Sequence, residues 1–256
     1  MTKRSHEDSS RLDTTIPTVS AVRQVMLVGN VSRSLLYGVL IFCVTGMSYL
    51  GALAGVVFLP YWPLKLLMGL VAGLAVALFF VVGHDACHQS LTPRPRLNRI
   101  LGRIAFLPSY HPYSAWEYTH NGLHHGYTNI KGLDPAFPPL TLEEYNALSG
   151  WRKVIERQTR TAPGVSLLYF WKIWIPHEMF PPHRNRVRER SNRTFQLDRA
   201  SVSLFMVAQV ALVWFVAQWT QQPIWPLAVG MIAIPAFVFF WLIGWAVHLH
   251  LSLIHI

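Results

Sequence analysis

Charge is scarce in this chain. Only 13% of its 256 residues are Asp, Glu, Lys or Arg, about half the ~25% of ordinary soluble proteins, which argues against a freely soluble globule. Acidic side chains are the scarcer kind, 12 against 22 Lys and Arg, for a formal charge of +10. A basic excess can serve nucleic acid. Here the basic residues flank hydrophobic runs, so anionic membrane lipid is the expected partner and nucleic acid is not. Cysteine is nearly absent: Cys43 lies in an apolar run and Cys87 beside two histidines. That excludes a disulfide framework and makes Cys87 a small buried filler rather than a metal ligand. There is no internal repeat and no low-complexity tract. No signal-peptide pattern is present either, because the first apolar run starts late and is too long for one.

What the chain has instead is apolar sequence in long runs. Hydrophobic residues make up 52%. Four segments approach the roughly 20 residues that a membrane-crossing helix needs: Ser34–Leu59, Leu64–Gly83, Val202–Trp219 and Leu227–Val247. Pro60-Tyr61-Trp62-Pro63 separates the first two into a tight hairpin, and a short link around Thr220–Pro226 makes the second hairpin. Trp and Tyr at these turns fit an aromatic belt. The expected fold is all-α and integral to the membrane: four transmembrane helices as two hairpins, with interfacial helices and a histidine-rich region on one face.

The basic residues orient that bundle. Of the 22 Lys and Arg, 16 lie between residues 84 and 199, five precede residue 34, and Lys65 alone is near a hairpin turn. Because positive loops stay inside, the N-terminus, the 84–201 region and the C-terminus are expected in the cytoplasm. Residues 1–33 read as a polar tail and 34–250 as the membrane domain. Within the latter, Leu97, Ile100, Leu101, Ile104 and Ala105 recur with helical period, with Arg99 and Arg103 opposite. This predicts a helix lying on the membrane surface. The aromatic stretch Val165–Met179 is interrupted by Lys172 and Pro176 and is expected to be interfacial or re-entrant.

Histidines carry the chemistry. They form two clusters, His84-Asp85-Ala86-Cys87-His88 and His120-Asn121-Gly122-Leu123-His124-His125. Residues i and i+4 share a helix face, so His84/His88 and His120/His124 are each expected to aim two rings at one place. Five such imidazoles exceed what a structural zinc needs. A zinc peptidase would carry Glu as the base inside the first motif, where Asp85, Ala86 and Cys87 stand. Ferritin-like di-iron sites need Glu-x-x-His motifs, which are missing. Asp85 lies one position off the shared face and is expected to orient a ligand ring from behind. His111, His177 and His183 are expected to be core or surface residues. A histidine-rich, carboxylate-poor site at a membrane face suits oxygen activation by non-haem iron on a lipidic substrate.

Gly83–His88 and Trp116–Asn129 resemble the first and second histidine boxes of the membrane fatty acid desaturase family. Leu97–Pro108 and Gly132–Pro139 resemble its bacterial acyl-lipid members, which implies a bacterial inner membrane as the location, and the similarity runs from about residue 30 to 250. The resemblance implies a di-iron centre held by histidines of three boxes, here His84, His88, His120, His124 and His125 from the first two. It implies O2 as co-substrate, an acyl-lipid or other acyl chain as substrate, and an external electron donor of ferredoxin or cytochrome b5 type. Hydroxylases and carotenoid ketolases share the scaffold and remain alternatives, as does a non-enzymatic membrane protein that binds metal or lipid.

The family's third box, His-x-x-His-His, follows its fourth membrane helix. Here the run ends at Val247-His248-Leu249-His250, then Leu251-Ser252-Leu253-Ile254-His255-Ile256. The last six residues equal the translation of CTG TCT CTT ATA CAC ATC, which resembles the mosaic-end adapter of transposon-based sequencing libraries. The expectation is that 251–256 is a non-native tail, that the natural sequence continues after His250, and that His255 has no role. His250 would then border a family motif. The second iron site would be incomplete, and this chain alone is expected to bind iron weakly and to lack desaturase activity that its full-length parent has.

Overall fold

The structure, a computed structural model, describes residues 33–136, 139–180 and 189–252, with the backbone alone at 189–192 and 250–252. Helix α1 spans Leu35–Phe58 and starts where the Ser34 hydroxyl accepts from the Tyr37 N–H (3.2 Å), an N-cap. Leu59 turns extended ahead of Pro60, as a residue before proline prefers. Helix α2, Trp62–Cys87, then begins with proline in its first turn, where a missing N–H costs nothing. Helix α8 covers Glu189–Thr220. A short α9, Ile224–Ala228, passes through a π-helical turn, Val229–Ala233, into α10, Ile234–Ser252. That wider turn precedes Pro235, whose ring would clash in a regular α-helix.

Among the described residues, four helical stretches are long and apolar enough to cross a membrane: Leu35–Phe58, Trp62–Cys87, Arg193–Thr220 and Ile224–Leu249. The protein is thus an all-α membrane protein of two hairpins. Two boundaries differ from expectation. The second stretch runs past Gly83 to Cys87, so His84 sits on its last turn. The third begins well before Val202. Its polar start is held by Asp198, which accepts from Arg103 (2.7 Å) and from the Ser114 N–H (2.9 Å) while buried. Hydropathy marks where a helix becomes apolar, not where it begins.

Helix α2 is central. It packs on α1, on α10 and on α3, Pro95–Phe106. A Cβ at Gly73 would stand 2.5 Å from Val238 Cβ, so α2 and α10 approach at a small residue. At the turn end, Lys65 Nζ donates to the Val57 carbonyl (3.1 Å) and to Gln222, whose amide also donates to Val57 O (2.9 Å). This caps α1 and ties the two hairpin turns together.

The expected surface helix is α3, and its apolar face divides. Leu101 and Ala105 are buried, whereas Ile100 and Ile104 remain exposed. Arg103 is paired with Asp198 rather than free in water. Neighbouring helices take up half of the face that the sequence pattern assigns to lipid. Shorter elements follow: α4, Tyr113–Glu117, continuing as a π-helical turn over Tyr118–His124; α5, Leu142–Ala147; α6, Gly150–Thr159; and α7, Val165–Leu168, continuing as a π-helical segment over Tyr169–Met179. The Val165–Met179 stretch buries Tyr169, Ile173 and Trp174, and Trp174 Nε1 donates to Tyr110 O (2.9 Å).

Candidate metal centre

The last turn of α2 carries His84, and His88 caps that helix, its N–H bonded to His84 O (3.0 Å). Their rings lie 4.5 Å apart between centroids. The second cluster behaves differently. His125 N–H bonds to His120 O (2.9 Å), an i to i+5 bond, so the backbone there has π-helical pitch. The expected His120/His124 pair is therefore replaced by a closer His120/His125 pair, with Nε2 atoms 3.1 Å apart and ring centroids at 4.5 Å. His124 stays within 5.4 Å of the His120 ring. The wider turn lets three histidines of one short segment face the same region.

His120 joins the clusters. Its Nε2 is 3.2 Å from His84 Nε2, and its ring stacks on Trp116 at 4.1 Å. One ring nitrogen each of His84, His88 and His120 lie within 4.8 Å of one another. Two nitrogens bound about 2.0–2.1 Å from one metal sit roughly 3 Å apart, so the 3.2 Å between His84 Nε2 and His120 Nε2 fits neighbouring donors on a single ion. Burial first, and the surrounding imidazoles second, push His120 down to about 2. His88 and His125 are lowered by burial and then by neighbouring histidines. Neutral rings are the form that binds metal.

Carboxylates stand behind two of the rings. Asp85 Oδ1 is 3.3 Å from His84 Nδ1, a long contact at a half-exposed side chain. Asp134 is far better placed. Its side chain is fully buried and accepts from His124 Nδ1 (2.9 Å), from the Asn129 N–H (2.9 Å) and from the Ala136 N–H (2.9 Å). Burial alone would raise this carboxyl, but those hydrogen bonds overcome it and hold Asp134 below the usual range. His124 Nδ1 is thereby committed as a donor, which leaves the lone pair on Nε2, the atom that could face a metal.

The rings open onto a cavity of about 350 Å³. Its polar end holds His84, His120, His124, His125 and Glu178; Phe80, Ile173, Ile243 and Val247 form an apolar wall. Glu178 is buried, accepts from the Thr119 hydroxyl through Oε1 (2.6 Å), and leaves Oε2 without a partner. Burial pushes it up to about 8.

The fatty acid desaturase family model matches residues 57–253. The chain belongs to the fatty acid desaturase family. It is 31% identical over 185 residues to the chloroplastic omega-6 fatty acid desaturase of Arabidopsis thaliana, covering 72% of this chain and 36% of that protein. It is 28% identical over 209 residues to the sn-1 oleoyl-lipid 12-desaturase of Synechocystis sp., covering 78% and 52%. With the corresponding protein of Picosynechococcus sp. it shares 36% over 99 residues, 39% and 28% of the two chains. The chain spans between about a third and half of the length of the two longer-matched relatives.

Other histidines of this desaturase-family chain stand apart from the cluster. His111 is buried, with Nδ1 bonded to Ser109 O (2.7 Å) and Nε2 to the Tyr169 hydroxyl (2.9 Å), and burial lowers it to about 3. It is a satisfied core residue. His177 is lowered by burial, and its Nδ1 has no partner. Cys87 is buried in the core. His183 and His255 lie outside the described residues, as does the side chain of His250. Sequence reasoning passes over Asp134 and Glu178, for neither belongs to a local motif. Asp134 meets His124 across ten positions and Glu178 meets Thr119 across 59.

Proposed function

We propose that the protein to which this chain belongs is an acyl-lipid desaturase, which introduces a C=C bond into a membrane acyl chain using O2. His84, His88, His120, His124 and His125 would hold the iron of a di-iron centre, with Asp85 behind His84 and Asp134 behind His124. Bound iron would supply the strong oxidant, derived from O2, that unactivated methylene C–H bonds demand. Removing two hydrogens while reducing O2 to two waters takes two further electrons and two protons. The electrons would come from a ferredoxin or cytochrome b5-type donor on the cytoplasmic face of a bacterial inner membrane.

The chain's own residues do the rest. Burial and neighbouring rings favour the neutral form of His88, His120 and His125, the form that binds metal. The wall of Phe80, Ile173, Ile243 and Val247 takes the methylenes of an acyl chain and excludes water, fixing which carbons reach the polar end. Glu178 keeps a proton at neutral pH in this dry corner. The observation that carries the reading is the convergence of both histidine clusters on one apolar-walled cavity.

The test is iron analysis of the purified full-length parent of this chain, followed by mass spectrometry of host acyl lipids. Histidine-held iron and an acyl product lighter by two hydrogens are expected, with both lost in His84→Ala and His120→Ala. A product heavier by one oxygen would make the protein a hydroxylase or ketolase. Unchanged iron in His120→Ala would sink the site itself.

A further inference from the structure

Helix α6, Gly150–Thr159, has a buried side and an exposed apolar side. Glu156 and Thr159 point inward and are buried. Trp151, Val154 and Ile155 share another side at i, i+3 and i+4 and are 63%, 49% and 50% exposed. At 3.6 residues per turn, Arg152 and Arg157 lie about 110° to either side of that apolar face. Both are exposed, and neither has a carboxylate partner among the described residues. An apolar stripe flanked by cations without carboxylates is the pattern of a helix lying in a membrane surface.

Its position in the fold agrees. Just beyond α6, Ala162 O accepts from Trp241 Nε1 (2.9 Å), on the exposed flank of α10. Gly244 packs on the next segment so tightly that a Cβ there would stand 2.4 Å from Val165 O. Trp241 precedes the end of the fourth span, Leu249, by eight residues, or about 12 Å of helix. The segment that follows α6 is thus tied to the side of the fourth span in its histidine-bearing half, which sets this part of the chain against the leaflet on that side.

We propose that α6 is an in-plane membrane anchor specific for anionic lipid. Trp151, Val154 and Ile155 sink into the leaflet on the histidine side, and Arg152 and Arg157 take lipid phosphates through their planar guanidinium forks. Helix α3 offers a smaller version on the same bundle, with exposed Ile100 and Ile104. The inference stands apart from the metal chemistry and does not depend on it.

The full chain in nanodiscs tests it. Cys43 is exposed and Cys87 buried, so a Cys43→Ser background with Val154→Cys accepts one environment-sensitive fluorophore. Lys153→Cys, on the opposite side of the helix, is the control. In discs containing phosphatidylglycerol, the label at 154 is expected to be quenched by nitroxide-bearing lipid. It is also expected to be several-fold less quenched by aqueous iodide than the label at 153. Arg152→Gln with Arg157→Gln, or discs of phosphatidylcholine alone, should erase most of that difference. Equal iodide quenching at 154 and 153 would overturn the proposal, because the helix then projects into water. Shielding from both quenchers would also overturn it, because protein then covers the face. Shielding indifferent to phosphatidylglycerol and to both arginines would remove the anionic lipid and overturn it as well.

Discussion

His84 and His88 stand one α-helical turn apart at the end of a transmembrane helix, whereas His120, His124 and His125 share a π-helical turn in a loop-borne segment. The first pair is supported by 26 residues of continuous helix. Its rings converge because ordinary pitch brings i and i+4 together. The second group depends on a wider pitch, held by the His125-to-His120 backbone bond and by Trp116 against the His120 ring. The outer supports differ likewise. Asp85 is half exposed at 3.3 Å from its ring, while Asp134 is buried with three separate donors. A rigid helix orients its histidines through its backbone. A short irregular turn needs a buried carboxylate to do the same.

The strongest way to break this contrast is His120→Ala, since that ring joins the two clusters. Loss of an outer hydrogen-bond partner costs metal sites about 10–100-fold in affinity. Removal of the ring that joins the two clusters should cost more, read as metal content after purification or by cobalt titration. Next comes the pair of carboxylates. Asp134→Asn should weaken cobalt binding by about 10–100-fold, while Asp85→Asn should change it by only a few-fold. Equal effects would show that the two clusters are supported alike. Asp134 also gives the second cluster an acid limit. A depressed carboxyl stabilises the fold above its unfolded value, near 3.8, and that contribution disappears as pH falls through the lower folded value.

A smaller effect is expected from Glu178→Gln in metal-free protein. A carboxyl raised from 4.5 to about 8 weakens the fold as pH rises from the lower value to the higher. Thermal melts between pH 5 and 8 should therefore fall further for the parent than for the variant, by about 2–4 °C per kcal/mol for a chain of this size. Parallel curves would mean that Glu178 does not hold its proton. The mildest change should be deletion of Gly122. It shortens the spacing of the three histidines to i, i+3 and i+4, which ordinary α-helical pitch brings to one face. Cobalt affinity should survive nearly intact, whereas inserting Ala between Asp85 and Ala86 should abolish it. If both changes are equally damaging, the π-turn has a purpose beyond gathering rings.

Much of the fold is legible in the residues. Long apolar runs and the Pro60–Pro63 turn are enough to place the spans, because lipid offers no partner for an unpaired backbone group. The start of α8 is not legible, since Arg193–Ala200 is polar and its helix depends on Asp198 meeting Arg103 across 95 positions. Nor is the division of the α3 apolar face, which depends on where α2 lies. At the site, His84 and His88 are readable from spacing alone. The grouping of His120 with His125 is not, because regular periodicity assigns His124 to that place.

The apolar runs, the two histidine clusters and membership of the family are determined by the sequence itself. Each is a matter of residue type at short range, and a run of about 20 apolar residues in lipid has only a helix as its solution. Tertiary structure decided the pitch of the second cluster, the carboxylate behind His124, and the buried acid at the cavity wall. Those depend on groups distant in sequence, such as His84 and His120 at 36 positions or Thr119 and Glu178 at 59. A buried polar atom must find a partner wherever packing supplies one, and no local pattern records which partner that will be.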